Sequence, residues 1–499
     1  MRIRDLSGTE LSLGVDGSRE TGVREKSYSV DSTHHLVFVM SFWESGVVLN
    51  GMLLALLLLV AGLGRRVLPP IAKLGIPDSM VAGCLGLLFG PSALSLLPID
   101  PEVLESLVYH GLAIVFIAVS LQRPAQGARG GGARSVAFMI PTMAVLQAIV
   151  GVLVVLAFTA AQGADLHPGL GLLLPLGFQQ GPGQALSMGQ SWEPGLAEGA
   201  GVGLIIAALG FAWAVFVGVP LVVIGKRRGW LKMGTSSGPG VVQKAEQETV
   251  SPAGSMERLG FQVAAIAAVY LLTLLVVSGI SNLLQDKPQF QNMIWGFHFI
   301  IGGGLALAVR AGLSKFRVQT PLSDRMLGQL GGTAVDFVTC AALAAVNLMV
   351  FQSNLMLILV LTSLGGVVTV LASLWLARRA FPNDTFHHAV MMFGAVTGTL
   401  PTGLALLRIL DPEMKSSAPG NAVLGSAGSL ILSVPLLLVV LPLATSGWPD
   451  DVQGALLKSL VVLVLYLAAL LLGWRFLGPL RIFSPFRIWP SEAAGDEQG

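Results

Sequence analysis

"GFQQGPGQALSMGQ", residues 177–190, interrupts a chain that is strongly apolar on both sides of it. The stretch holds four glutamines, four glycines and one proline. Its glycines and proline disfavour continuous helix, so we expect one half-helix to end near Gly181 and another to begin at Gln184. Non-helical backbone in apolar surroundings survives only against protein or a water-filled cavity. The stretch therefore predicts a polar site built around a helix break.

The composition is that of a membrane protein. Of 499 residues, 53% are hydrophobic and 12% are charged, with a mean hydropathy of +0.75, whereas soluble domains carry about 25% charged residues. The net charge of +2 gives no reason to expect a nucleic-acid partner. Cys84 and Cys340 both lie in apolar segments, which predicts packing residues and no disulfide framework.

Thirteen apolar segments can be marked along the chain. The fifth and the eleventh are unusual, because Gly, Pro, Gln and Thr break them. Since a spanning helix needs about 20 apolar residues, the other eleven are predicted to cross the membrane. The segments are 46–64, 79–97, 106–122, 135–160, 170–191, 199–225, 257–283, 292–311, 327–351, 355–377, 386–410, 419–444 and 455–474.

The basic residues predict which loops face the cytoplasm, because short cytoplasmic loops are rich in Lys and Arg. Arg65 and Arg66 follow the first segment, and a run of cations at 226–228 follows the sixth. If residues 170–191 crossed the membrane, the sixth segment would end outside together with those cations. An arm of about 12 residues reaches only ~18 Å into a ~30 Å core. We therefore expect 170–191 to enter from outside and turn back.

The second half of the chain gives the reverse orientation. Arg378 and Arg379 precede the eleventh segment and Lys415 follows it, so this segment is expected to dip in from the cytoplasm. Each half then has five spanning helices and one re-entrant segment, and an odd number reverses the direction of the second half. This predicts an all-α polytopic protein with two inverted repeats and one extra C-terminal helix, the plan of secondary transporters.

These orientations divide the chain and place its ends. The N-terminus is expected outside and the C-terminus in the cytoplasm. The first 39 residues lack the apolar region of a signal peptide, so they form either a disordered tail or a segment ahead of a true start at Met40. The predicted divisions are a polar tail at 1–45, a first repeat at 46–225, a cytoplasmic linker at 226–256, a second repeat at 257–444, an extra helix at 455–474 and a cytoplasmic tail at 475–499.

The eleventh segment matches the fifth. "GAVTGTLPTGLALLRILDP", residues 394–412, shares G-x-x-x-G, a following Pro and Gly, an Ala-Leu pair and an acid before Pro. A helix that starts at such a break exposes unpaired N–H groups that bind anions, and two of them suit a small dicarboxylate or amino acid. The alternative is two simple kinks. The candidate substrate-binding residues are Gln179, Gln180, Gly181, Gly183, Gln184, Thr397, Gly398, Thr399, Thr402, Gly403 and Arg408.

Two further groups of polar residues have alternative explanations. Asp336 lies deep in the ninth segment, and Asn347 is three helical turns further on. With Thr339, these residues are candidates to hold a coupling cation, although Asp336 could instead pair with a neighbouring helix. Arg408 could clamp a substrate carboxylate or extend to the cytoplasmic surface.

Four stretches resemble the sodium/glutamate symporter family. Residues 177–193 and 393–413 resemble its paired signature loops, and the likeness extends over about 45–445. "IPDSMVAGCLG", residues 76–86, and "AVDFVTCAALAAVNL", residues 334–348, resemble its second and ninth segments. The two loops together are fairly specific, and each alone is weak.

The resemblance implies import of L-glutamate with Na⁺ by a homodimer of five-helix inverted repeats in a bacterial inner membrane, through an elevator-type motion. By position, residues 179–184 and 397–403 would line the site, with Asp336 nearby. The sequence departs from the family in its Gln-Gln-Gly-Pro-Gly loop, where many members have Gly-Gly-x-Gly or Gly-His-Gly, and in its extra helix at 455–474. Both departures affect the identity of the substrate more than the fold.

Other functions remain open at this point. A proton-coupled or uncoupled carboxylate carrier would use the same plan, and a channel is less consistent with inverted repeats. No HExxH pair, P-loop or buried Ser/Lys pair occurs in the sequence, so we expect neither an enzyme nor a cofactor. The expected partners are a small anionic amino acid, Na⁺ and the lipid bilayer.

Overall fold

A computed structural model describes residues 46–67, 76–123, 130–162, 166–193, 195–230, 255–285, 288–316, 322–353, 355–412 and 414–481. These residues belong to one compact unit that starts at Gly46. Helices and short connections make up all of this part, which contains no strand. The predicted tail at 1–45, most of the linker at 226–256 and the end of the tail at 475–499 lie outside the described residues.

The described residues of the first half of the chain form eight helices. Helices α5 and α6 are separated by a wide π-helical turn at Leu176–Gln180 and by Gly181. Helices α7 and α8 are nearly continuous, because only Val217 stands between them. The helices are α1 Gly46–Val67, α2 Asp78–Phe89, α3 Pro101–Ser120, α4 Gly131–Gln162, α5 Gly169–Pro175, α6 Pro182–Ser191, α7 Gly199–Phe216 and α8 Gly218–Arg227.

Eleven helices are seen in the part of the second half that the structure describes. Gly398 and Thr399 separate α15 from α16, and a π-helical turn at Leu436–Val440 joins α17 to α18. The helices are α9 Ser255–Leu283, α10 Pro288–Gly296, α11 His298–Lys315, α12 Asp324–Ala344, α13 Leu348–Ser353, α14 Leu355–Ala380, α15 Thr385–Thr397, α16 Leu400–Leu410, α17 Ala418–Pro435, α18 Leu441–Thr445 and α19 Val452–Leu477.

Within the described ranges, nine helical spans are long and apolar enough to cross a membrane. A membrane-spanning protein is the class that this number and composition indicate. The nine spans are Gly46–Val67, Pro101–Ser120, Gly131–Ala161, Gly199–Arg227, Leu259–Leu283, Asp324–Ala344, Leu355–Ala380, Gly428–Thr445 and Val452–Leu477.

Two of the eleven predicted spanning segments are not among these nine. The segment 79–97 is helical only to Phe89, because Gly90 and Pro91 end the helix, and its 12 residues are too few to span. The segment 292–311 is interrupted at Phe297. Within the described residues, nine of the eleven predicted spanning segments are thus found as helices long and apolar enough to cross a membrane.

Helix α4 is the longest helix and the centre of the packing. It contacts α14, α17 and the extra helix α19. The indole Nε1 of Trp474 in α19 donates to Ser135 Oγ at 3.3 Å, and its ring stacks on Phe138. The extra helix is thus fixed to the same central helix that contacts both broken segments.

Candidate binding site at two helix breaks

The first broken segment, residues 169–191, folds back on itself and is called hairpin 1. Its first residue, Gly169, packs so closely on Trp192 that an added Cβ would collide with the indole ring. At its tip, Gly181 has φ +94° and ψ 173°, a conformation open in practice only to glycine. Pro182 then starts α6 at a first-turn position that suits proline. The sequence thus dictates both the turn and the helix that follows it.

The second broken segment, residues 385–410, also folds back and is called hairpin 2. A Cβ added at Gly394 in α15 would lie 2.7 Å from Leu406 Cδ1 in α16 and 2.9 Å from Gly403 Cα. At Gly403, an added Cβ would collide with the Met391 carbonyl oxygen. Glycine on both arms therefore brings the two half-helices into close antiparallel contact. Both segments have the geometry expected of a re-entrant element.

The contacts along α7 and α8 show how the two hairpins are placed relative to each other. Near the start of α7, Gly203 packs on the Ala185 carbonyl oxygen, where a Cβ would lie at 2.5 Å. At mid-length, Gly210 lies against Phe178 of hairpin 1 and against the Thr397 carbonyl oxygen of hairpin 2. In α8, a Cβ at Gly218 would lie 2.6 Å from Leu406 Cδ1. The hairpins therefore enter from opposite ends of this helix pair.

The tips of the two hairpins meet. A Cβ added at Gly181 would lie 3.3 Å from Thr399 Cγ2, which is tight van der Waals distance. The hydroxyls of Thr399 and Thr402 lie 3.3 Å apart, and Gly398 packs against Phe211 of α7. The structure thus brings Gly181 of the first motif to Thr399 of the second.

Two helix N-termini lie at this meeting point, and a third is adjacent. The Thr402 hydroxyl lies 4.0 Å from Met80 Sδ in the first turn of α2. No described side chain caps the first turn of α2, α6 or α16, although the first N–H groups of a helix have no partner inside the helix. The first turns of α6 and α16 therefore offer N–H groups and the positive ends of two helix dipoles to an anion, whereas the first turn of α2 already carries Asp78.

The glutamines of hairpin 1 contribute hydrogen-bond acceptors, which favour a positively charged group, whereas the helix N-termini favour an anion. Gln184 is only 3% exposed, and its Oε1 has no hydrogen-bond partner within the described part of the chain. The same holds for Gln179 Oε1, on a half-buried side chain, while Gln180 is also half-buried. A buried acceptor without a donor is costly unless a ligand supplies one. These oxygens suit an ammonium group or a cation.

The remaining predicted tip residues serve packing more than binding. Gly183 allows α6 to approach α3, since a Cβ there would lie 2.9 Å from Leu112 Cδ1. The Thr397 hydroxyl donates to the Phe393 carbonyl oxygen at 2.7 Å and is fully buried. Arg408 is exposed and lies at the base end of α16, away from the tip. The structure does not bring Arg408 to the tip residues with which it was predicted to bind substrate.

The predicted cation residues are only partly brought together. Asp336 lies in α12 close to Ser79, which is in the first turn of α2. Thr339 is buried one turn further along α12. The prediction that Asn347 continues this helical stripe is wrong, because α12 ends at Ala344. Asn347 instead accepts the Met349 N–H at 2.9 Å and starts the short helix α13.

Sequence reasoning missed three residues that shape the tips. Ser79 and Met80 lie between Asp336 and Thr402, and Gln147 donates to the Val396 carbonyl oxygen of hairpin 2 at 2.8 Å. The motif "IPDSMVAGCLG" gave a signal for the first two, because Pro77 precedes a new helix. A single glutamine in an apolar helix was the only signal for Gln147.

An aromatic residue that follows each half of the chain packs on the base of the opposite hairpin. The Trp230 ring lies 5.5 Å from Phe386 at the start of hairpin 2. The Trp448 ring lies 5.0 Å from His167, just before hairpin 1. Lys226 also donates to the Ile409 carbonyl oxygen at the end of α16. Each base is therefore held by the other half of the molecule.

Burial of His167 in this aromatic environment lowers the pKa of its imidazole to about 4. Its neutral Nδ1 accepts the Gly169 N–H at 3.1 Å, at the first residue of hairpin 1. The uncharged ring is therefore part of the local structure at neutral pH.

Across the ranges described, no group of three or more His, Cys, Asp or Glu side chains could hold a metal ion. The fold and the meeting of the two tips define the class of this chain as an all-helical membrane protein with a polar site between two helix breaks. Comparison with protein-family models, with curated proteins and with solved structures gave no match to it.

Proposed function

We propose that this protein is a secondary active transporter that imports L-glutamate or a related small carboxylate together with Na⁺ by alternating access. The observation that carries the proposal is the meeting of Gly181 and Thr399 at the tips of two hairpins from opposite ends of α7–α8. Transporters bind substrate at such discontinuous helices near mid-membrane. Glutamate and Na⁺ themselves come from the family resemblance.

The packing repeats between the two halves of the chain, and their hairpins enter α7–α8 from opposite ends. Helix α3 packs on α11 as α12 packs on α2, and α4 packs on α5 as α14 packs on α15. In each pair, the second contact is formed by the counterparts, in the other half of the chain, of the two helices that form the first contact. The contacts Trp230–Phe386 and Trp448–His167 follow the same exchange. We therefore assign residues 46–225 and 257–444 as inverted repeats, and α19 as an addition outside them.

The chemistry of the tips suits an amino acid with acidic groups. The uncapped first turns of α6 and α16 offer N–H donors to a carboxylate, and the hydroxyls of Thr399 and Thr402 can add two more hydrogen bonds. The unpaired Oε1 atoms of Gln179 and Gln184 are acceptors for an ammonium group. One small zwitterionic anion would satisfy both sets.

Na⁺ prefers oxygen ligands, as other hard cations do. Asp336 and Thr339 supply oxygens beside the start of α2, and Ser79 is the neighbour that the structure adds. We propose that the coupling ion binds on this side of the tips, in a bacterial inner-membrane homodimer with its N-terminus outside and its C-terminus in the cytoplasm.

The test is uptake by purified protein in proteoliposomes across a panel of labelled glutamate, aspartate, neutral amino acids and dicarboxylates. An inward Na⁺ gradient should drive glutamate uptake, and Thr399→Ala and Gln180→Ala should each reduce it at normal folded yield. Uptake that ignores Na⁺ but follows a proton gradient would replace Na⁺ by H⁺ coupling. No uptake of any carboxylate would remove the proposal.

A separate variant tests the cation side. Asp336→Asn should weaken the apparent affinity for Na⁺ more than that for substrate, because it removes a charged ligand. An unchanged Na⁺ dependence would indicate that Asp336 has only a structural role at the start of α2.

A further inference from the structure

The strongest unexplained feature near the site is Gln147, a polar side chain in the middle of α4 that has no exposed surface. Its Nε2 donates to the Val396 carbonyl oxygen at 2.8 Å and to Thr369 Oγ1 at 3.0 Å. Thr369 itself donates its hydroxyl proton to the Gly365 carbonyl oxygen at 2.6 Å. Thr369 can therefore only accept from Gln147, which fixes the orientation of the Gln147 amide.

The position of Val396 relates this hydrogen bond to the helix break in hairpin 2. Val396 is the penultimate residue of α15, which ends at Thr397. In an unbroken helix, the Leu400 N–H would donate to the Val396 carbonyl. The Gln147 amide occupies that carbonyl instead, and Leu400 becomes the first residue of α16. In a first turn, the Leu400 N–H has no acceptor within its own helix.

We propose that Gln147 is a positioning residue that replaces the Leu400 N–H on the Val396 carbonyl and so sets the place where hairpin 2 breaks. A buried carbonyl without a donor is costly, so the break is stable where Gln147 reaches it. The consequence is that the N–H groups of the α16 first turn and the Thr399 hydroxyl are directed to the tip. The effect on transport rests on the proposed function, whereas the effect on the tip does not.

The competing explanation is that Gln147 only ties α4 to α14 through Thr369. The two explanations differ in their response to Thr369→Val, which removes the link to α14 but leaves the bond to Val396. A second control is Gln122→Leu, because Gln122 follows the end of α3 and its Nε2 donates at 3.2 Å to Ala118 O of that helix, away from either tip.

The first measurement probes the accessibility of the hairpin 2 tip and does not depend on transport. In a Cys84→Ala, Cys340→Ala background, Thr399→Cys is labelled with a small maleimide in purified protein. Gln147→Leu should change the labelling rate by about fivefold or more, while Thr369→Val and Gln122→Leu should leave it within about twofold. Equal rates in all four proteins, or an equal change in Gln147→Leu and Thr369→Val, would overturn the proposal.

The second measurement determines KM and Vmax for substrate uptake in proteoliposomes. Gln147→Leu should raise KM for substrate about tenfold with Vmax within about threefold. Gln147→Glu should regain a low KM where its buried carboxyl is protonated and can donate, and lose it at alkaline pH. A Glu variant with the wild-type pH profile and KM would argue against the role of the donor.

These two arms separate the possible failures. If wild-type protein transports no carboxylate, the proposed function fails while the labelling rates still decide the role of Gln147. If Gln147→Leu does not fold, the comparison of Gln147→Glu with Thr369→Val gives the same decision. A Glu variant that labels like wild type at every pH would then contradict the proposal.

Discussion

Hairpin 1 and hairpin 2 share a sequence pattern but are supported in different ways. The return arm of hairpin 1, α6, is buried from Pro182 through Gly189 and packs on α7, an element outside the hairpin. The return arm of hairpin 2, α16, packs mainly on its own first arm, α15. Only five of its residues are buried, namely Thr402, Gly403, Leu406, Leu407 and Leu410.

This difference indicates which hairpin moves more easily. Hairpin 1 shares backbone-to-backbone contacts with α7, such as Gly189 on the Gly199 carbonyl, so it cannot leave its place without breaking that packing. In hairpin 2, α15 is buried against α14, whereas α16 packs mainly on α15, so α16 is the arm that can shift with less loss of packing. In an alternating-access transporter, we therefore expect hairpin 2 to open before hairpin 1.

The largest expected effect comes from Gly210, on which both tips depend. A Cβ there would collide with the Thr397 carbonyl oxygen of hairpin 2 and lie 2.9 Å from Phe178 Cδ1 of hairpin 1. Gly210→Ala should cost about 1–3 kcal/mol and reduce uptake roughly 10- to 100-fold. The matched control is Gly279→Ala in α9, where an added Cβ meets nothing within 4 Å. Equal uptake by the two variants would contradict the shared support at Gly210.

Hydrogen exchange tests whether the return arm α16 opens more easily than the return arm α6. Amides in α16 should exchange roughly tenfold or more faster than those in α6, because local opening of α16 exposes fewer buried contacts. Mass spectrometry of peptides from 182–191 and 400–410 would measure the ratio. Slower exchange in α16 than in α6 would reverse the proposed order of opening.

The bases of the hairpins should respond separately to loss of their aromatic neighbours. Trp230→Leu should speed exchange in the first turn of α15, and Trp448→Leu in the first turn of α5, each about two- to tenfold. The expected size follows from an aromatic pair worth about 0.5–1.5 kcal/mol. If either variant loosened both bases equally, the contacts would not act on individual hairpins.

A smaller effect is expected from pH at the base of hairpin 1. Burial lowers the pKa of His167 to about 4 from its usual value of 6.5, so the folded state binds fewer protons than the unfolded state. The resulting stability is present above about pH 6.5 and is lost as pH falls toward 4, at a cost of about 2 kcal/mol by pH 5. Thermal unfolding at pH 7 and pH 5 measures it.

The control for the pH effect is His167→Asn, whose side-chain oxygen can still accept the Gly169 N–H but does not titrate. It should reduce the difference in stability between pH 7 and pH 5. A full wild-type difference in this variant would assign the pH dependence to other groups.

Much of the fold could be predicted from the sequence, because long apolar runs and helix breakers act locally. The spans of α4 and α14 followed from their apolar length, and Gly181 marked a break that only glycine could form. The pairing of Gly181 with Thr399 was expected from two matched motifs and a charge rule. The end of α12 at Ala344 was missed, because Asn347 was assigned to the same helix, although an Asn is also typical of the start of a new one.

The parts of the site that could not be predicted depend on contacts between distant residues. Gln147 lies 249 residues before Val396, and no local pattern links a glutamine to a carbonyl in another half-helix. Arg408 was predicted either to clamp a substrate carboxylate or to extend to the cytoplasmic surface, and the structure places it in the last turn of α16, away from the tip. Met80 near Thr402 likewise required the packing of α2 on α12, which Gly83 and Gly86 permit.

The most direct test of this account is the sidedness of the two hairpin bases. In a Cys84→Ala, Cys340→Ala background, Ala197→Cys beside hairpin 1 and Asn383→Cys beside hairpin 2 place single thiols at exposed positions. A membrane-impermeant maleimide added to sealed, oriented vesicles should label one of them from outside and the other only after permeabilisation. Labelling of both thiols from the same side would contradict two hairpins that enter from opposite faces of the membrane.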